Sequence, residues 1–367
     1  MTEIGPGCML WAFALASSLA AHSPALGVRA SGPRDRKIEF VPSQTTSTLK
    51  AVGGLGICTL GWTFAPVFIR LLRNDYDPLT QGFIRYLFGA MFLIAICLVY
   101  HRTALLTLIR NPAPVIGISI LNTVQQYCWT AGTYGATATT AQLIVKLSIV
   151  FVVIFAYVLF HEERAVIRNP LYLIGTTLSM IGVAGVLISD PQDLSLAFTR
   201  GNLLLLFCAL TWAVYAVWGK HIVLNIHPLP MFAVVASLTT IGLGTMAVIF
   251  EEPTSALNAG AVPTVLVVLS GILAIGGSHP SFHYAQKHFG SAFTNTFTLI
   301  MPLTTYCAAW FILPSEKLSL TQGIGAFVLL FGTFLIIVVE NRKRTAEPDA
   351  SELNPSATPS PAAERTL

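Results

Sequence analysis

The chain has 367 residues, of which 54% are hydrophobic and only 10% are charged, and its formal net charge is +4. An ordinary soluble domain carries about 25% charged residues, whereas the mean hydropathy here is +0.69. The composition excludes a soluble enzyme, a nucleic-acid-binding protein and a disordered scaffold, because their surfaces need far more polar groups. It predicts an all-α membrane protein that crosses the bilayer several times.

The N-terminal extension differs in pattern from the rest of the chain. Residues 1–48 contain an apolar run, from Cys8 to Ala21, that is too short to cross a bilayer as a helix. We expect this extension to be poorly ordered or interfacial. A divergent leader and a start codon placed too far upstream are the alternatives.

Ten apolar segments of about twenty residues make up most of the chain, each long enough to cross about 30 Å of hydrocarbon as a helix. Short separators with charged or turn-forming residues divide them, and the weakest separator is Tyr134-Gly135-Ala136-Thr137. The predicted segments are 49–71, 79–100, 112–133, 138–160, 170–189, 201–223, 229–250, 262–285, 291–313 and 319–340. Residues 342–367 are predicted to form a disordered cytoplasmic tail, because they become rich in Pro, Ser, Ala and Glu.

The basic residues predict the orientation. If the N-terminus is cytoplasmic, thirteen Lys and Arg residues at or near the ends of the predicted segments lie on the inner side and four on the outer side. Basic residues favour the cytoplasmic side, so we expect an integral multi-pass protein of the plasma membrane with both termini in the cytoplasm. The four outer residues are Arg70, Arg73, Arg200 and Lys317.

A shift of 150 residues superimposes the second half of the chain on the first. The matches include Leu60-Gly61-Trp62 with Leu210-Thr211-Trp212, Pro78-Leu79 with Pro228-Leu229, and Gly175 and Gly182 with Gly325 and Gly332. The predicted copies are 49–190 and 199–341, and each holds five crossings. Because five is odd, the second copy enters the membrane from the opposite face. Inverted repeats are typical of secondary transporters, whose substrate site lies near the midplane between the copies.

The ordered set of motifs resembles the EamA-like ten-helix branch of the drug/metabolite transporter superfamily. The likeness rests on Trp62 and Trp212, on Pro78 followed by Phe83-Ile84-Arg85-Tyr86-Leu87, and on the acidic-basic pairs Glu163-Arg164 and Glu316-Lys317, each preceding a glycine-bearing segment. It covers about residues 49–341. The resemblance implies export or exchange of a small metabolite through a central cavity, and it leaves the metabolite open.

Two charged residues lie well inside the predicted segments. Lys146 is roughly 12 Å from the outer end of the fourth segment, and a lysine that faced lipid there would cost roughly 2.5 kcal/mol or more. We expect Lys146 either to bind an anionic substrate group or to be a buried, hydrogen-bonded lysine. Arg85 lies closer to the surface and can extend towards it, so a structural or interfacial role is predicted for Arg85.

The remaining candidates are uncharged residues and histidines. Gln142 is one helical turn before Lys146, and His279 and His283 are one turn apart. The candidate substrate-binding residues are Lys146, Gln142, Gln125, Gln126, Trp129, Trp62, Trp212, Tyr215, Tyr284 and Asn295, and the candidate proton or polar relay is His279 with His283. Two histidines alone rarely make a metal site, so no metal and no cofactor are expected.

The charge pattern also restricts the substrate and the mechanism. No Asp or Glu lies in the interior of a predicted segment, which disfavours a carboxylate-based proton relay. A lysine in the fourth segment also resembles plastid sugar-phosphate translocators, which clamp phosphate with basic residues from both halves. Residues 291–313 contain no Lys or Arg, which favours a singly charged or zwitterionic ligand over a phosphate ester.

The sequence therefore favours a secondary transporter, an exporter or exchanger that moves a small anionic or zwitterionic metabolite by alternating access. A sugar-phosphate or nucleotide-sugar antiporter of the same superfamily is the first alternative. A membrane-embedded enzyme that uses His279 and His283 is a weaker one, and no filter segment indicates a channel. The expected partners are a small-molecule substrate and the lipid bilayer, without nucleic acid. A homodimer is left open.

Overall fold

The computed structural model describes residues 44–151, 155, 169–187, 199–298, 300–313 and 315–346. All the regular elements in these ranges are helices. Twelve are α-helices: α1 (Gln44–Leu71), α2 (Pro78–Tyr100), α3 (Arg102–Arg110), α4 (Ala113–Tyr134), α5 (Ala138–Val145), α6 (Pro170–Leu187), α7 (Arg200–Asn225), α8 (Pro228–Phe250), α9 (Ala261–Ser270), α10 (Ser278–Thr298), α11 (Met301–Ile312) and α12 (Leu320–Ala346). A 3₁₀ turn spans Pro253–Asn258, and a π-helix at Gly271–Gly277 joins α9 to α10.

Most of these helices are suited to a bilayer. Within the described ranges, six spans are long and apolar enough to cross it: Ala51–Leu71, Pro78–Tyr100, Pro170–Leu187, Pro228–Phe250, Ala261–His288 and Leu320–Val339. The apolar stretches Ala138–Phe151 and Arg200–Ala216 are shorter. Large side chains such as Phe250, Phe311 and Phe327 are exposed, which suits a surface solvated by lipid tails. The predicted all-α membrane fold is confirmed.

Exchanging the two halves of the chain leaves the pattern of helix packing unchanged. The most extensive contacts join α6 to α12, α2 to α8, α4 to α7 and α1 to α10. A shift of 150 residues places α6 on α12 and α2 on α8, so each of these two pairs maps onto itself. The same shift relates the pair α4–α7 to the pair α1–α10. This is the packing expected of two copies related by a two-fold axis.

The α6–α12 crossing shows the direction of that axis. A Cβ added to Gly175 would lie 2.7 Å from the Gly332 carbonyl oxygen, and one added to Gly325 would lie 2.8 Å from the Gly182 carbonyl oxygen. The contact positions run in opposite directions along the two helices, so equivalent helices are antiparallel. The axis therefore lies in the membrane plane, and the copies are inverted as predicted.

Helix α3 is an element that the sequence prediction lacks. It is bent by 83° relative to α4 and buries Leu105 and Leu108 while most of its other side chains are exposed. It has only nine residues and a high charge density for its length, so hydropathy alone assigns it to a separator. The structure makes it an amphipathic helix at the edge of the bundle.

The predicted separator between the eighth and ninth segments is helical instead of a loop, although the eighth span ends at His288, close to the predicted boundary. Helix α10 continues through 286–290 to Thr298, and the next helix begins at Met301. Phe282 and Met301 nevertheless pack in one cluster, so the chain turns back between them and does not extend beyond the apolar core as one straight helix. The separator at 135–137 was predicted correctly, since α4 ends at Tyr134 and α5 begins at Ala138.

The two ends of the bundle are named by one residue each. The Asp75 face carries residues 72–77, 135–137, 251–260, 313 and 315–319. The Arg102 face carries residues 101–112 and 226–227. Helix α2 runs from the Asp75 face to the Arg102 face, and α4 runs back.

Candidate functional site

A cavity lies between the two copies, near the middle of the bundle. Its volume is about 80 Å³, whereas a single water needs about 10–15 Å³, so it accommodates several waters or a small solute. Its lining residues are Trp62, Ala65, Arg85, Gln125, Gln126, Trp129, Gln142, Val145, Lys146, Ser148, Ile149, Trp212, Ala274, Ile275, His279, Phe282, Thr298 and Met301. Both copies contribute, as expected for a site on the repeat axis.

Lys146 lies at an interruption of the fourth span. Helix α5 ends at Val145, and the amides of Lys146, Leu147 and Ile149 each bond to the carbonyl three residues earlier, at 3.0–3.1 Å. The backbone is therefore wound more tightly around Lys146 than in an α-helix. The side chain is 9% exposed, and the described part of the chain offers it no hydrogen bond or carboxylate.

Gln142 compensates for a proline in the first span. Pro66 has no N–H, so the carbonyl of Trp62, four residues earlier, loses its helical partner. The Gln142 Nε2 donates to this carbonyl oxygen at 2.6 Å. A predicted site residue is thus an intramembrane hydrogen-bond donor to the backbone, and it still lines the cavity one turn from Lys146.

The eighth span is irregular on the opposite wall. The π-helix Gly271–Gly277 contributes Ala274 and Ile275 to the lining. The Trp62 Nε1 donates to the Ala274 carbonyl at 3.2 Å, and the Ser278 hydroxyl donates to the Leu273 carbonyl at 3.0 Å. Irregular backbone at membrane depth is tolerated where it is buried in protein or lines a cavity, and π-helices are frequent at functional sites.

The two amides on α4 lie together. Gln126 Nε2 donates to Gln125 Oε1 at 2.9 Å, and Gln125 Nε2 lies 3.6 Å from Cys208 Sγ. Both are almost fully buried and both line the cavity, with Trp129 one turn away. The structure thus brings the three predicted α4 residues to one wall.

The structure excludes the interfacial one of the two roles predicted for Arg85 and leaves the structural one open. Its side chain is 2% exposed and lines the cavity instead of reaching the membrane surface. The Arg85 Nε donates to Ser270 Oγ at 2.8 Å. The interfacial role was wrong because it considered only depth, whereas Arg85 lies on the face of α2 that packs against α9 and the π-helix. Gly82 and Gly89, one turn before and after it, were the available signal, since small residues mark a packed helix face.

The two histidines have different surroundings. Both ring nitrogens of His283 have hydrogen-bond partners. The Tyr215 hydroxyl is 3.1 Å from Nε2, and the Gln286 Oε1 is 3.3 Å from Nδ1. His279 lines the cavity, stacks on Phe232 with ring centroids 4.4 Å apart, and leaves its Nδ1 without a partner among the described residues. The described residues therefore bring only His279 to the site.

Among the described side chains, two more predicted residues are not brought to the cavity, Tyr215 and Tyr284. Tyr215 lies behind Trp212, with ring centroids 5.4 Å apart. Tyr284 is half-buried and is outside the lining. The side chain of Asn295 lies outside the described residues, whereas its neighbour Thr298 lines the cavity.

On the Asp75 face, carboxylates of the second copy hold helix ends of the first. Glu316 forms an ion pair with Arg70, and its other oxygen accepts from the Ala138 amide at 2.8 Å. Arg70 also donates to the Tyr134 carbonyl at 2.7 Å. Glu251 accepts from the amides of Leu79 and Thr80 at 2.9 and 2.8 Å, which is favourable at the positive end of α2. These bonds join the copies on this face.

The corresponding contact on the Arg102 face consists of two histidines. His101 follows α2 and His227 precedes α8, and their rings lie 4.2 Å apart. Desolvation, His101 and Lys287, in that order, lower the pKa of His227. The neutral ring is therefore favoured at this junction between the copies.

Comparisons with known proteins agree with this architecture. The sequence pattern of the EamA-like transporter family matches twice, over residues 50–188 and 199–338. An uncharacterized transporter of Archaeoglobus fulgidus is 26% identical over 293 residues, which is 77% of this chain and 95% of the relative. An uncharacterized transporter of Haemophilus influenzae is 22% identical over 284 residues, covering 75% and 93%.

A solved crystal structure of a protein covers 82% of this chain and 100% of its own, with a TM-score of 0.58 at 17% identity, and shows the same fold. The family match covers two inverted copies and most of the chain. The protein is thus an integral multi-pass membrane protein, and it belongs to the EamA-like transporter family.

Proposed function

We propose that the protein is a secondary transporter, not an enzyme, that exports or exchanges a small anionic or zwitterionic metabolite by alternating access. One observation carries the proposal. Lys146, a buried lysine with no partner among the described residues, lies at a helix interruption in a cavity between two inverted copies. A cation held at this depth without a partner is costly, and an anionic ligand group removes that cost.

Three irregular spans around the cavity support the alternating-access mechanism. They carry Pro66 in α1, the tight turn at Lys146 and the π-helix Gly271–Gly277. Interrupted helices at the repeat interface are where transporters bind substrates and bend between states. The hydrogen bonds on the Asp75 face agree with a conformation closed on that side.

We further propose that the Asp75 face is extracellular and that the membrane is the plasma membrane. In intact cells, cysteines introduced at Asp75 and Glu252 are then labelled by an impermeant maleimide, and one at Arg102 is labelled only after permeabilisation. The reverse pattern overturns the orientation and leaves the transport proposal in place.

Counterflow in proteoliposomes tests the transport proposal. Vesicles preloaded with a panel of unlabelled metabolites should accumulate the labelled form of the substrate, and Lys146→Ala should reduce the initial rate at least tenfold. Lys317→Ala, an exposed lysine outside the cavity, is the matched control and should retain the rate. Transport that survives in Lys146→Ala at normal protein levels would remove this residue from the site.

A further inference from the structure

We propose that the cavity binds a small dianion, with one negative charge towards Lys146 and the other towards Arg85. The inference rests on the proposed transport function and specifies its substrate class. The inference starts from two buried cations that line one cavity, Arg85 on α2 and Lys146 just after α5.

Arg85 has the capacity to bind a ligand. Only its Nε is engaged by a described residue, through Ser270, so the two Nη groups are without a described partner. A guanidinium stays charged in proteins and presents its donors in a fork that fits carboxylates. The backbone around it is tightly held, since a Cβ on Gly271 would lie 2.3 Å from the Arg85 carbonyl oxygen.

Lys146 lies at a similar depth. Counted from the Asp75-face ends of their helices, Arg85 is seven residues and Lys146 eight residues inside, which corresponds to roughly 10–12 Å each. Both therefore line the cavity at a similar depth. Neither has a carboxylate partner among the described residues.

No acid in the described part of the chain neutralises this pair. Every Asp and Glu lies outside the interiors of the apolar segments. Glu316 is buried and Glu251 is half-buried at the Asp75 face, and both are already bonded, to Arg70 and to helix N-termini. Buried charges need compensation, so the missing two negative charges are expected to arrive with the ligand.

The cavity also limits the size of that ligand. A volume of about 80 Å³ and walls made by Trp62, Trp212 and Phe282 suit a compact anion and not a nucleotide sugar. The amides of Gln125 and Gln126 add polar groups on one side. From sequence alone, the lack of Lys and Arg in residues 291–313 argues against a dianion. In the structure, Arg85 on α2 supplies the second cation of the cavity instead.

The test compares dianions with monoanions of similar shape. Purified wild-type protein is heated at matched ionic strength with succinate or monomethyl succinate, and with sulfate or methyl sulfate. The two pairs distinguish a carboxylate site from a site for compact inorganic anions. Ligand binding raises the melting temperature in a saturable way. We expect an apparent dissociation constant at least tenfold lower for at least one dianion than for its monoanion.

Charge variants connect the preference to the two residues. Arg85→Gln and Lys146→Gln should each abolish the tenfold preference, whereas Arg73→Gln, an exposed arginine, should keep it. Arg85→Lys retains the charge and should keep most of the preference, which covers the case in which Arg85→Gln fails to fold. Equal affinity for both charge states, no saturable binding of either dianion, or a preference that survives in both Gln variants would overturn the inference. Lys146-dependent counterflow of a monoanion would then still support the transport proposal.

Discussion

Trp62 and Trp212 occupy equivalent positions in the two copies and contact each other edge to face, with ring centroids 5.5 Å apart. Residues related by a two-fold axis can touch only where that axis passes between them. The pair therefore marks the pseudo-symmetry axis, and both rings line the cavity. The cavity and the symmetry axis coincide in this protein.

The bond between Gln142 and the Trp62 carbonyl predicts that the stability cost of removing the Gln142 side chain depends on Pro66. Gln142→Ala should lower stability by about 1–3 kcal/mol, because the carbonyl freed by Pro66 is left without a partner. In a Pro66→Ala background, the restored N–H should reduce that cost. Thermal melts of the double-mutant cycle measure the coupling. Gln125→Ala, another cavity amide, should show no coupling to Pro66→Ala, and equal coupling would contradict this account.

The ion pair of Arg70 and Glu316 predicts a gate on the Asp75 face. Glu316→Gln should raise the labelling rate of a cysteine introduced at Ser148, a buried cavity residue, because the copies lose a charged link. The measurement uses a maleimide added from the Asp75 side in a protein without its native cysteines. Glu252→Gln, an exposed acid on the same face, is the control. Unchanged labelling in Glu316→Gln would mean that the link does not control access.

Acidification should weaken the Arg102 face. Burial, His101 and Lys287 lower the pKa of His227, so the unfolded state binds more protons than the folded state once the pH falls below about 6.5. The contribution of His227 is therefore complete above that pH and is lost as the pH falls through its lowered pKa. A melting series from about pH 7.5 to about pH 5.5 should show a decrease that is smaller in His227→Gln. The same slope in both proteins would rule out His227 as its source.

The α6–α12 crossing predicts a strong glycine effect. A Cβ on Gly182 would lie 2.2 Å from the Leu329 backbone nitrogen, so Gly182→Ala should force the helices apart and cost about 1–3 kcal/mol. Gly323 on α12 has no neighbour within 4 Å among the described residues, so Gly323→Ala should leave stability unchanged or slightly raised. Thermal unfolding in detergent compares the two. Tolerance of Gly182→Ala would show that the crossing can relax.

The repeat could be predicted from the constant spacing of its matching residues. The inversion could be predicted from the odd number of spans in each copy. Trp62 and Trp212, which match at the shift of 150 residues, were both predicted as substrate-binding residues, and both line the cavity. The cavity wall around Lys146 was largely predictable as well, because an ionisable side chain at depth needs a polar environment and neighbours one turn away share its helix face.

Arg85 and the backbone irregularities required tertiary information. The position of Arg85 depends on the rotation of α2, which is fixed by close contacts with Gly271 and Ile275. The bond from Gln142 to Trp62 joins residues 80 apart in sequence. The π-helix at Gly271–Gly277 left no periodic signal, because its residues are uniformly apolar or glycine.

The α6–α12 crossing bears on how such a chain can arise. Gly175 against Gly332 and Gly325 against Gly182 are the same contact seen from the two copies. A contact of this kind is isologous, the type that two identical subunits form across a two-fold axis. A single five-span polypeptide would already possess the surface needed to pair with an upside-down duplicate of itself. Gene fusion would then have to add only a linker, and later divergence could alter each half separately.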